Sequence, residues 1–143
     1  MRLALTGRLM PLLRAGRARV VTLTSVAAPV GGIDWDDLQG ERRYAPVRAY
    51  SSSKLANLLF ALELDRRSTA RGWHITSMAA HPGTTLTNLY ASGPSLGRTR
   101  PAHHAVSGGP EELTVYRSAR DDADAARLWE ISETLTGVTY GGA

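Results

Sequence analysis

Apolar positions along the chain follow a helical rhythm in three places and a strand-like run in two. Leu3, Leu9, Met10, Leu12 and Leu13 recur at roughly helical spacing, which predicts a helix over Met1–Ala15. Gly16 is placed to end it, and Pro11 inside it removes one backbone donor. Arg19–Thr24 (RVVTLT) is a short β-branched run, expected as a strand buried on both faces rather than an alternating, half-wet one. The clearest helix spans Ala49–Arg71, where Leu55, Leu58, Leu59 and Leu62 form one stripe and Gly72 closes the element. Trp73–Ala80 (WHITSMAA) predicts a second strand, followed by His81-Pro82-Gly83, where Pro82 and Gly83 break regular structure. Asp121–Leu135 predicts a last helix, with Asp122 and Asp124 near its positive end.

Two stretches lack periodicity. Ser25–Pro46 contains Pro29, Gly31, Gly32 and the acidic group Asp34, Asp36 and Asp37, and connections of this length commonly face a substrate or act as lids. Ser92–Pro110 is rich in Gly, Pro, Ser and His and reads as irregular loop.

Strand, helix and strand in that order form a βαβ unit. The predicted class is therefore α/β, with parallel strands and a right-handed crossover. The leucine stripe is expected to face the sheet, against Val20, Val21, Leu23, Ile75 and Met78. Ligands of such sheets bind beyond the carboxyl ends of the strands. Ser25 lies just past the first strand and His81-Pro82-Gly83 just past the second. The connecting helix starts at the same rim, which brings Tyr50 and Lys54 to it.

Composition narrows the picture. The 143 residues make one domain, and the absence of cysteine excludes disulfides and thiolate metal sites. No apolar run approaches the ~18–20 residues of a membrane span. Arg2 and Arg8 interrupt the apolar start in a way a secretory signal does not. A cytoplasmic chain without a transmembrane segment is the expectation. Seventeen bases against thirteen acids give +4, but the bases are scattered and aromatics are only 6%, which argues against nucleic-acid binding. Sixteen of those bases are arginine; Lys54 is the one lysine. An ammonium can do what a guanidinium cannot, acting as a compact, adjustable point charge.

Tyr50 and Lys54 stand four residues apart, on one helical face. A phenol titrates near 10, too high for efficient proton transfer at neutral pH, and a neighbouring ammonium favours its phenolate form. Ser25 can hydrogen-bond a substrate oxygen that gains negative charge. The three small serines between Tyr50 and Lys54 would let a flat ligand approach the helix. Other chemistries fit less well. Ser25 lacks the Gly-x-Ser-x-Gly elbow of a serine hydrolase. His81, His103 and His104 lack metal-ligand spacing, so no metal site is expected.

The segment AYSSSKLANLLFALEL resembles the catalytic Tyr-x-x-x-Lys helix of the short-chain dehydrogenase/reductase superfamily. RVVTLTS resembles that family's serine-bearing strand, and HPGTTLT its Pro-Gly segment beside the nicotinamide. IDWDDLQGERRY, SKLANLLFALEL and ARLWEISETLTGVTY are similar to the retinol-dehydrogenase-like branch, which acts on lipophilic alcohols and carbonyls. The resemblance implies a Rossmann-like sheet, NAD or NADP as cofactor, and catalysis by Ser25, Tyr50 and Lys54. Tyr50 would be the acid/base, Lys54 would hold the nicotinamide ribose, and Pro82, Gly83 and Thr87 would line the carboxamide pocket.

The family's fold opens with a strand and a glycine-rich phosphate loop, and none of the fourteen glycines here forms one. The expectation is a single truncated domain over residues 1–143, matching the C-terminal half of such an enzyme. It divides into a catalytic βαβ region (1–91), an irregular loop (92–110), and a C-terminal helix and tail (111–143). A sheet of two or three strands leaves edges and apolar face open. A non-catalytic chain that pairs with itself or with a full-length relative is therefore the competing expectation.

Overall fold

The computed structural model describes residues 2–81 and 114–140. Helix α1 (Arg2–Ala15) leads to strand β1 (Arg19–Leu23), helix α2 (Pro46–Arg71), strand β2 (Thr76–Ala80) and helix α3 (Asp122–Thr136). Short 3-10 turns at Ala28–Val30 and Arg117–Ala119 complete the order.

The punctuation residues act as their chemistry dictates. Pro46 occupies the first turn of α2, where its missing N–H costs nothing, so the helix begins three residues before the expected Ala49. Gly72 closes α2 at φ 62° and Gly137 closes α3 at φ 65°, in the left-handed region open to glycine. Asp121 caps α3, its carboxylate accepting from the Ala123 N–H at 2.9 Å. Pro11 stays inside α1. The second strand is shorter than expected, because Trp73 and Ile75 enter the core before pairing starts and His74 turns at φ 58°.

β1 and β2 pair in parallel, from Arg19 opposite Thr76 to Leu23 opposite Ala80. The expectation of a doubly buried strand fails. Thr22 and Thr24 are buried while Val21 and Leu23 are each 56% exposed, and Met78, opposite Val21, is exposed too. The described helices leave that face uncovered, so alternation at period two sends Val21, Leu23 and Met78 outward rather than onto the leucine stripe.

Helix α2 organises the core. Leu55, Leu58 and Leu59, with Leu62 at the margin, pack with Ile33, Ala79, Ala119 and Ala125. Further along, Phe60 and Leu64 pack with Val20 of β1, Ile75 just ahead of β2, Leu3 and Met10 of α1, and Trp129 of α3. Trp129 stacks on Phe60 at 5.6 Å, meets Tyr140 at 4.3 Å, and carries the Arg67 guanidinium 4.8 Å over its ring. The Tyr140 hydroxyl donates to the Leu3 carbonyl at 2.6 Å, tying the C-terminal end to α1. Burial pushes the Tyr140 phenol well above its ordinary range.

Two polar side chains of α2 are paired inside, whereas Ser77 Oγ and Trp129 Nε1 are buried without a hydrogen bond among the described residues. Ser68 donates to the Ile75 carbonyl at 2.6 Å and accepts its N–H at 3.0 Å, clamping the end of α2 to the approach of β2. Glu63 is 1% exposed and takes a bidentate hydrogen bond from Arg66 and another from Arg67. Burial pushes the Glu63 carboxyl up, but the two guanidiniums outweigh it and hold the group below the usual carboxylate range.

Leu59→Ala is expected to destabilise the chain by about 2–5 kcal/mol, because Leu59 is almost fully enclosed. Urea denaturation measures this. Glu63→Gln removes the shared anion and is expected to cost about 3 kcal/mol at neutral pH. A depressed folded-state titration contributes stability that is complete above about pH 4.3 and lost as pH falls through the folded value. The gap between parent and variant melting temperatures should therefore close as pH drops from 7 to about 3.

Candidate active site

The structure brings Ser25, Tyr50 and Lys54 together at the carboxyl rim of the sheet. Ser25 follows β1, and Tyr50 and Lys54 lie in the second and third turns of α2. The Tyr50 hydroxyl donates to Ser25 Oγ at 3.3 Å, and Ser25 Oγ also accepts the Ala27 N–H at 3.2 Å. Both lone pairs of the serine oxygen are thereby engaged, which leaves its own proton to donate outward. Lys54 Nζ sits 5.5 Å from the Tyr50 ring centroid. Among the described residues it has no carboxylate partner, so its charge remains available to a ligand. Tyr50 is exposed at the rim, where an incoming ligand meets it. Pro82, Gly83 and Thr87 lie outside the described residues.

Several residues that hold this geometry escaped the motif reading. Thr24 Oγ1 donates to the Lys54 carbonyl at 2.8 Å, fastening the Lys54 turn of α2 to the strand that leads to Ser25. Its signal was its inward position, two residues after Thr22 on the alternating strand. Asn57 Nδ2 and Arg2 Nη1 both donate to the Leu23 carbonyl at 3.0 Å, fixing the end of β1. Gly31 lies so close to α2 that a Cβ would fall 2.5 Å from the Ser51 carbonyl oxygen, so only glycine fits.

That contact alters the reading of the three serines. Ser51 is buried, Ser52 donates to the Gly32 carbonyl at 2.7 Å, and Ser53 donates to the Tyr50 carbonyl at 2.7 Å. Two of the three therefore serve the approach of the 25–45 connection instead of leaving a bare ledge for a flat ligand.

The connection itself is well anchored. Asp37 accepts the backbone N–H groups of Glu41, Arg42 and Arg43, and the Arg43 N–H foremost holds its carboxyl below the usual range. Asp34 pairs with Arg48, and the Arg127 guanidinium of α3 lies 4.3 Å over the Trp35 ring. Beneath it is a cavity of about 400 Å³ with apolar walls from Ile33, Leu38, Leu128, Ile131 and Leu135. A second cavity, of about 350 Å³, lies between α1, α2 and α3, and Lys54 reaches its wall. Tyr50 lines neither, so the Tyr50–Ser25 pair faces the open rim. Among the described residues, no helix is long and apolar enough to cross a membrane.

The donor set suits the ribose and nicotinamide end of a dinucleotide: an ammonium without a carboxylate partner among the described residues for ribose hydroxyls, beside two hydroxyls 3.3 Å apart for a reacting oxygen. No family model matches the chain. The chain is 38% identical to polyprenol dehydrogenase of Mus musculus over 96% of its own length and 51% of that protein. Retinol dehydrogenase 12 of Mus musculus is 34% identical over 86% of this chain and 47% of that one. A crystal structure of an uncharacterised protein from Mycobacterium paratuberculosis superposes with a TM-score of 0.78 at 37% identity, covering 99% of this chain and 57% of that one. The chain thus spans about half the length of the curated relatives it matches. On these identities and this superposition, the chain belongs to the short-chain dehydrogenase/reductase superfamily, on its retinol-dehydrogenase-like branch.

Proposed function

We propose that this chain carries the catalytic half of an NAD(P)-dependent oxidoreductase that interconverts a lipophilic alcohol and its carbonyl compound. The observation that carries the reading is the Tyr50 hydroxyl 3.3 Å from Ser25 Oγ, with the Lys54 ammonium beside the ring. The names of the relatives, which act on retinol and polyprenol, support the substrate class.

When bound, NAD or NADP would supply or accept the hydride. The chain's own residues manage the proton and the oxygen. Ser25 donates its free hydrogen to the substrate oxygen and holds it beside Tyr50. Tyr50 gives its hydroxyl proton to the carbonyl oxygen on reduction and takes it from the alcohol on oxidation. Lys54 stabilises the phenolate left behind and offers hydrogen bonds to the ribose. Thr24, by holding the Lys54 carbonyl, keeps Tyr50 and Ser25 in register.

Pyrophosphate binding in this fold relies on backbone amides of a glycine-rich loop, which these residues do not include. Two or three hydrogen bonds at the ribose end, each worth ~0.5–1.5 kcal/mol net and up to ~3 when charged, must offset at least ~4 kcal/mol of association entropy. The 143-residue chain by itself is therefore expected to bind either cofactor no more tightly than about millimolar. Calorimetry against NADH and NADPH tests this, and a micromolar constant overturns it.

A second reading, a non-catalytic chain that pairs with a full-length relative, draws on the uncovered sheet face of Val21, Leu23 and Met78. The two readings part at Tyr50. With the dinucleotide-binding half of the fold supplied in the same chain, Tyr50→Phe should lower kcat by roughly 10²–10⁴-fold on a lipophilic aldehyde. An unchanged rate removes Tyr50 from the mechanism.

A further inference from the structure

We infer that Gly31 and Ser52 are positioning residues that set the distance between the Tyr50 and Ser25 hydroxyls from the side of the 25–45 connection. Ser25 does not stand alone after β1. The Ala28 N–H donates to the Ser25 carbonyl at 3.0 Å, and the Gly31 N–H donates to the Ala28 carbonyl at 3.0 Å. Two successive turns thus link Ser25 to Gly31, with Ala28 fully buried between them. A displacement at Gly31 is carried back to Ser25 through these bonds.

Gly31 rests on the backbone of α2 at the residue after Tyr50. Its φ of −72° and ψ of 157° suit any residue, so conformation does not call for glycine there. Space does. A Cβ would lie 2.5 Å from the Ser51 carbonyl oxygen and 2.9 Å from its carbon, atoms of a helix backbone that cannot swing aside. Ser52 adds a bond on the same side. A helical serine commonly turns its hydroxyl onto a carbonyl of its own preceding turn, as Ser53 does to Tyr50. Ser52 instead donates across to the Gly32 carbonyl at 2.7 Å. Ser25, Gly31, Ser51 and Tyr50 therefore form a closed ring of contacts, completed by the 3.3 Å approach of the two hydroxyls.

An alanine at 31 has to retreat by roughly 1 Å to reach ordinary van der Waals distance, and a misplacement of that size at reacting groups costs on the order of 10²-fold in rate. Gly32 supplies the control, because a Cβ there meets nothing within 4 Å among the described residues.

The inference rests on the proposed reading of the rim, and a test in two arms keeps them apart. The first arm follows the Ala27 amide, whose N–H lies on Ser25 Oγ, by nuclear magnetic resonance in the 143-residue chain. Its signal should move in Gly31→Ala and in Ser52→Ala and stay in place in Gly32→Ala. The second arm measures turnover of decanal with NADPH and with NADH, the dinucleotide-binding half being supplied in the same chain. Gly31→Ala should lower kcat about 100-fold and Ser52→Ala about fivefold, with the cofactor KM unchanged in both. Gly32→Ala should match the parent, and Ser52→Thr, which keeps the hydroxyl, should retain the parent rate. If Gly31→Ala does not fold, the two Ser52 variants decide. An Ala27 signal that Ser52→Ala leaves in place overturns the inference alone, as does an unchanged kcat in Ser52→Ala where Tyr50→Phe lowers it. A rate untouched by Tyr50→Phe brings down the reading of the rim, and this inference with it.

Discussion

Two parallel strands cannot be joined by a tight turn: the chain must travel back along the whole sheet before it can pair again. Everything in this molecule depends on how that return journey is made. Helix α2 makes it over 26 residues and is fastened near both ends, by Thr24 to the Lys54 carbonyl and by Ser68 to Ile75. Because the helix is held at the strand end that carries Ser25, Tyr50 and Lys54 arrive beside that serine. The site follows from the crossover.

Packing reinforces this arrangement from outside. Trp129 sits among Phe60, Tyr140 and Arg67, so α3 grips α2 along the middle of its length. The Glu63 pair with Arg66 and Arg67 lies on the same stretch. Glu63 holds Arg67 in place within α2, and the Arg67 cation over the Trp129 indole ties α3 to it more specifically than apolar contact would. The catalytic turn of α2 is left free of this clutter and faces the rim.

Much of this was legible in the chain. Helix positions followed from leucine spacing, their ends from Gly16, Gly72 and Asp121, and the closeness of Tyr50 and Lys54 to Ser25 from a lone lysine four residues after a tyrosine on the helix that starts at the strand's carboxyl rim. The start of α2 was misplaced because Pro46 was read as the end of a loop, although proline suits a first helical turn. The errors in the sheet have one cause. RVVTLT reads as buried because β-branched residues favour strands wherever they sit, and a sequence does not say how many layers cover them. The contacts that position the site, from Thr24, Asn57 and Gly31, join residues far apart in sequence and carry no local pattern.

The two margins of the sheet are not equivalent. On the β2 side, the outward-pointing amide of Ser77 is already taken by the carboxylate of Asp65 at 3.0 Å. On the β1 side, side chains hold only the final carbonyl, at Leu23, and none among the described residues caps Arg19 or Val21. A strand joining beside β2 would have to displace an anion already paired in the fold, whereas one joining beside β1 would find open donors and acceptors. Among the described residues, the open edge of this sheet therefore lies on the β1 side, next to the rim that holds Ser25 and Tyr50.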